Sequence, residues 1–271
     1  HMVLVALLVA APADQVPDTV VVCPPAFRAV LAPWLEHRRV QGHQLVVIAP
    51  RRSAAEIRRE VRRHAEGGGL RYLVLIGDAP SEDRASGPSE SVPCQRIPAV
   101  VNVHWGSEPE IASDDWYADL DDDALPDLAV GRLTADTPGE LARIVRKILA
   151  YERTLDFGLW RRRVNFVAGL GGFGPVADAA LESAARVLIE NGIPTPYDVT
   201  MTYASWRSPY CPSPQLFRQT TIDRLNEGCL FWVYIGHGHR RMLDRVRLPG
   251  AEYPIFAAHD VRHLRCVRGS P

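Results

Sequence analysis

The chain has 271 residues, 46% of them hydrophobic and 23% charged, and its 31 basic and 32 acidic side chains leave a net charge of −1. That composition supports a sizeable core and excludes a disordered tail. The charge balance gives no footprint for bulk nucleic-acid or membrane-surface binding, and the length fits one large domain or two modest ones.

At the amino end His1-Met2 reads as a vector remnant, and Val3 to Ala11 is the longest apolar run. It falls short of the roughly 18–20 residues of a membrane span. No basic residue precedes it, so a buried strand is the first reading and a targeting remnant the second. Thr19 to Cys23 (TVVVC) predicts a strand, ended by Pro24 and Pro25. Phe27 to Arg39 predicts a helix, interrupted or kinked at Pro33. Gln44 to Ile48 is the next strand. Ser53 with Glu56 forms a capping box, and the helix it opens runs to about Ala65, before Gly67-Gly68-Gly69. Leu70 to Ile76 is a third strand. Strands alternating with helices make βαβ units and a parallel sheet.

Asp78 to Pro126 reads as a long irregular stretch rich in Ser, Pro, Asp and Glu, a length that marks functional loops. Leu128 to Gly131 is a short strand, and Thr137 to Arg153 a helix with Leu141, Ile144, Val145 and Ile148 at helical spacing. Asp156 to Arg163 reads as a junction, which divides the chain into 1–157 and 158–271. Val164 to Ala168 and Leu230 to Ile235 are strands, and Pro175 to Asn191 and Pro214 to Glu227 helices. The expected fold class is α/β, with parallel-sheet βαβ units and helices on both faces.

The sharpest chemical signal is Phe231 to His239 (FWVYIGHGH), an apolar strand running into Gly236-His237-Gly238-His239. The carboxyl ends of parallel strands face the ligand crevice of an open sheet. A histidine there, between glycines that let other backbone approach, suits general acid–base work near neutrality. His239 is its neighbour and competitor; on a strand it points the other way. A rival signal is Gly169-Leu170-Gly171-Gly172-Phe173-Gly174, a GxGxxG between a strand and a helix, with Asp198 beyond the next strand. That pattern fits a dinucleotide-binding oxidoreductase, although Pro175 leaves every glycine in the loop. The acidic run around Asp119, Asp121 and Asp123 admits calcium. It is not an EF-hand, because Ala124 and Val130 stand where Gly and Glu belong. Neither GxSxG nor HExxH nor GxxxxGK[ST] occurs. The five cysteines, Cys23, Cys94, Cys211, Cys229 and Cys266, are widely spaced and read as reduced thiols.

Several segments together resemble the gingipain-type cysteine peptidases of the caspase-like clan. They are Tyr72 to Asp78 (YLVLIGD), Ser113 to Tyr117 (SDDWY), Pro126 to Arg132 (PDLAVGR), Glu140 to Glu152 (ELARIVRKILAYE) and Trp232 to Gly238 (WVYIGHG). The resemblance implies a caspase-like fold and a cysteine endopeptidase with no required cofactor. His237 would be the general base and the Gly238 amide an oxyanion donor. Asp178 is a candidate third partner that orients His237. Leu170 stands where relatives carry an acid. Asp114 aligns near the residue that lines the pocket for a basic side chain, which implies cleavage after Arg or Lys. The nucleophile is either Cys266 or a cysteine beyond Pro271. A catalytically silent peptidase-like binding module is the alternative. Expected partners are a protein or peptide substrate and a further strand completing the sheet beside Leu230 to Ile235; nucleic acid and membrane are not expected. Lys147 is the only lysine, a bias of GC-rich genomes. The sequence does not fix the compartment; a bacterial source is expected, with the cytoplasm favoured over secretion.

Overall fold

The structure is a computed structural model and describes residues 16–80, 91–100, 109–170, 175–239 and 241–265, without the side chains of 175, 177, 178 and 181. The chain forms two compact units, His1–Thr154 and Leu155–Pro271.

In the first unit β1 (Thr19–Val22) is buried along its whole length. It pairs in parallel with β2 (Leu45–Ile48) on one side and β3 (Tyr72–Ile76) on the other. Further along the chain, β6 (Ala129–Leu133) adds to β3, giving the order β2-β1-β3-β6. Successive strand residues face opposite ways, so this sheet builds two cores. Val20, Val22, Leu73 and Leu75 pack on Ile57 and Val61 of α2 (Ala54–Ala65). Val21, Cys23 and Ile76 pack on Phe27 and Leu31, at the start of α1 (Arg28–Val40), and on Leu141 of α3 (Pro138–Arg153). Helices therefore cover both faces. Ser53 and Thr137 accept the amides of Glu56 and Glu140, and each glutamate reaches back to a backbone N–H, so both helix starts are fixed by short polar side chains.

Two local expectations are revised. Of interruption or a kink at Pro33, interruption does not occur: α1 runs through it. Pro33 and Ala29, whose carbonyl it leaves unbonded, both lie on the exposed face, where water can take that carbonyl. The stretch from Asp78 to Pro126 is not all irregular. β4 (Gln95–Pro98) and β5 (Glu110–Ser113) form an antiparallel pair, mostly exposed and without an apolar face to announce it.

In the second unit β7 (Arg163–Ala168), β8 (Asp198–Tyr203) and β9 (Phe231–Ile235) make a parallel sheet in the order β8-β7-β9. α4 (Pro175–Gly192) connects β7 to β8, and α5 (Phe217–Asn226) precedes β9. On the α5 face, Val167, Trp232 and Tyr234 pack with Phe217, Val246 and Ile255. The chain then turns back in two small antiparallel pairs. They are β10 (Gly238–His239) with β11 (Met242–Leu243), and β12 (Arg245–Leu248) with β13 (Ala251–Pro254). A short helical turn, Ala258–His263, closes the described chain. It is anchored by Asp260, which is fully buried, accepts the Ala257 amide at 2.9 Å and pairs with Arg218. Among the described residues no helix is long and apolar enough to cross a membrane.

Candidate active site

In the second unit the chain moves from β7 outward to β8, then back across to β9, so its direction reverses between β7 and β9. Ligands of open α/β sheets lie outside the carboxyl ends of strands at such a reversal. Gly169 follows β7 there, and Gly236 and His237 follow β9. The ladder extends one step further, since the Gly169 amide donates to the Ile235 carbonyl at 2.8 Å.

His237 is exposed. It lines a cavity of about 480 Å³ between α4 and the sheet, together with Phe166, Ala168, Leu188, Met201 and Ile235. The walls are largely apolar. Of the expected site residues, the structure brings His237 and Gly238 together at this edge. Gly238 starts β10 and, among the described residues, nothing stands within 4 Å of where its side chain would project. His239, next along β10, is exposed.

The glycines before the histidine are required by close packing. A Cβ on Gly236 would fall 2.5 Å from the Tyr234 hydroxyl, and one on Gly169 would fall 2.8 Å from Asp244 Oδ2 and 3.0 Å from that same hydroxyl. Tyr234 Oη donates to the His237 carbonyl at 2.8 Å and accepts the Asp244 amide at 3.1 Å. Burial pushes the pKa of Tyr234 up, which keeps the hydroxyl protonated as a donor. Asp244 is 4% exposed. Its Oδ1 accepts the Arg245 amide at 2.8 Å, and its Oδ2 has no hydrogen-bond partner among the described residues. Neither residue stands out in the sequence. The one signal for Tyr234 is a hydroxyl in an otherwise apolar strand ending, three residues before His237.

Other expected site residues fall elsewhere. Asp178 lies in the first turn of α4, and its side chain is outside the described residues. So are Cys266, the Val3 to Ala11 run and Gly171 to Gly174. Asp114 belongs to the first unit, where both its oxygens accept from Arg132 of β6 at 2.7 Å. Arg132 also donates to the carbonyls of Gly77 and Val92. This carboxylate is thus already matched by a guanidinium of its own chain. Asp198 opens β8 rather than following a strand. It therefore sits at the amino end of the sheet, opposite the crevice, which removes the acid from the dinucleotide fingerprint.

The acidic loop is knit from within. Asp119 is buried and pairs with Arg58 at 3.1 Å. Arg58 stacks on Trp116 at 4.4 Å and reaches Asp122 at 2.8 Å. Asp127 accepts the Leu120 amide, and Asp121 that of Asp123. Asp119, Asp121 and Asp127 each offer an oxygen within 4.8 Å of the others, but arginine and loop amides already engage these carboxylates. Of the described cysteines, none lines the cavity beside His237. Burial raises the Cys23 thiol to about 11 and also pushes Cys211 up, the opposite of an activated thiolate.

The layered sheet and its histidine-bearing strand define a caspase-like α/β fold, the fold of the gingipains. A family model for peptidase family C25 matches residues 12–270, and the chain belongs to that family. It is similar in structure to the complex of Porphyromonas gingivalis RgpB pro- and mature domains, with a TM-score of 0.65 and 19% identity over 92% of this chain and 52% of that one. A second solved structure, of a protease, gives a TM-score of 0.58 at 19% identity over 85% of this chain and 47% of the other. The chain thus spans about half the length of these structures. No curated protein matches it.

Proposed function

We propose that this chain supplies the general base, His237, to a cysteine endopeptidase. In this reading the imidazole takes the proton of a cysteine thiol, and the thiolate attacks the scissile carbonyl. The Gly238 amide helps hold the resulting oxyanion. The imidazolium then gives its proton to the departing amine, and water releases the acyl group from the sulfur. The supporting observation is the position of His237, exposed at the strand reversal, flanked by glycines and opening on a cavity. The nucleophile is Cys266 or a cysteine further along the protein, and Asp178 is the carboxylate proposed to orient the base. A peptide or protein substrate fits a peptidase family whose solved relative pairs RgpB pro- and mature domains.

Selectivity for Arg or Lys before the scissile bond stays a separate proposal. Asp114, paired with Arg132, would have to exchange its own guanidinium for that of a substrate. The experiment that tests the function is peptide hydrolysis by the full-length protein. His237→Ala should lower kcat by about 10²–10⁴-fold, whereas His239→Ala should leave it within a few-fold. Equal retention of turnover in both variants would refute the assignment.

A further inference from the structure

The His237 turn poses a mechanical problem. It is exposed, and it lies between two glycines, the residues with the most backbone freedom to lose. A base used for proton transfer must nonetheless stay in place, because a displacement of about 1 Å can cost about 10²-fold in rate. The side chain that holds this main chain comes from inside the strand. Tyr234 points to the α5 face, where its ring stacks on Trp232 at 6.2 Å between centroids and packs in the core with Leu243. Its hydroxyl reaches past the strand end to the His237 carbonyl at 2.8 Å. The same oxygen takes the Asp244 amide at 3.1 Å. Asp244 joins β11 to β12 and is itself buried. One oxygen atom therefore ties the histidine turn to the returning hairpin. Gly169 and Gly236 leave room for it, as a Cβ on either would press on that oxygen.

We propose that Tyr234 is a positioning residue, whose hydroxyl fixes the main chain carrying His237 by bridging it to the Asp244 amide. It touches no reacting atom, and its effect is on where the imidazole stands. The proposal rests on the reading of His237 as the base.

The test uses the full-length peptidase and three variants, Tyr234→Phe, His237→Ala and the double replacement. Removing one oxygen leaves the ring packed. Tyr234→Phe should lower kcat about 10- to 100-fold with KM within about twofold. The double variant should be no slower than His237→Ala alone, because the hydroxyl acts through the histidine. Unchanged kcat in Tyr234→Phe, with turnover lost in His237→Ala, would overturn the positioning role and leave the base standing. So would a Tyr234→Phe loss that persists in full on the His237→Ala background. Turnover retained by His237→Ala would instead overturn the base, and this proposal with it. A second measurement needs no variant. Hydrogen exchange at the Asp244 amide should be slowed relative to exposed-loop amides, and exchange at the unprotected rate would overturn the bridge.

Discussion

Arg132 grips Asp114 with two parallel hydrogen bonds of 2.7 Å. The pair joins two segments that sequence comparison sets apart, SDDWY in the acidic stretch and PDLAVGR in the strand after it. A bidentate guanidinium–carboxylate pair fixes geometry as well as charge. Here it fastens the acidic stretch to the carboxyl end of β6, while the other donors of Arg132 collect the carbonyls of Gly77 and Val92.

Asp114→Asn should therefore act on stability first. It leaves Arg132, whose side chain is only 10% exposed, without its anion. The expected loss is about 2–3 kcal/mol in the first unit, read by denaturant unfolding. In the full-length peptidase, kcat/KM should fall by the same factor for Arg and for neutral substrates. A loss confined to Arg substrates would instead support Asp114 as the pocket acid.

The second unit should be sensitive to acid through Asp260. Burial alone would raise this carboxyl group's pKa; hydrogen bonds from Arg218 and the Ala257 amide outweigh it and hold the group below the ordinary carboxylate value. A folded-state pKa below the unfolded one contributes stability that is complete above the unfolded value, near 3.9, and is lost as pH falls through the folded one. The melting-temperature gap between wild type and Asp260→Asn should shrink as the pH falls below about 4. A gap that stays constant down to pH 3 would contradict this role.

Three glycines around the histidine should separate by stability. Alanine at 169 or 236 places a methyl against Asp244 or Tyr234, at an expected cost of about 1–3 kcal/mol. Alanine at 238 meets nothing within 4 Å among the described residues and should shift stability by less than about 0.5 kcal/mol. It also keeps the backbone N–H assigned to the oxyanion. Thermal unfolding of the three variants checks the order, and a Gly238→Ala variant as unstable as Gly236→Ala would refute it.

The sequence carried the sheets well where strands are apolar on both faces. VVVC, YLVLI and LFWVYI are continuous apolar runs, and they carry β1, β3 and β9. β4, β5, β10 and β11 are only two to four residues long, too short to carry a period. In the site, His237 was legible because an apolar strand ends in glycines. The Tyr234–Asp244 bridge was not, since it exists only once β10 and β11 fold the chain back over the strand end. Asp114 aligns by resemblance near a pocket for a basic side chain; that it meets Arg132, 18 residues away in sequence, depends on how the chain folds, which spacing alone does not reveal.

The central claim, that His237 activates a cysteine nucleophile, is tested most directly by the rate of labelling with a peptidyl electrophile. The full-length protein and its His237→Ala variant would be compared at neutral pH, with the modified residue located by mass spectrometry. The account predicts rapid labelling of one cysteine, at Cys266 or further along the protein, slowed at least about 100-fold in the variant. Labelling of that cysteine at the same rate with and without His237 would contradict it.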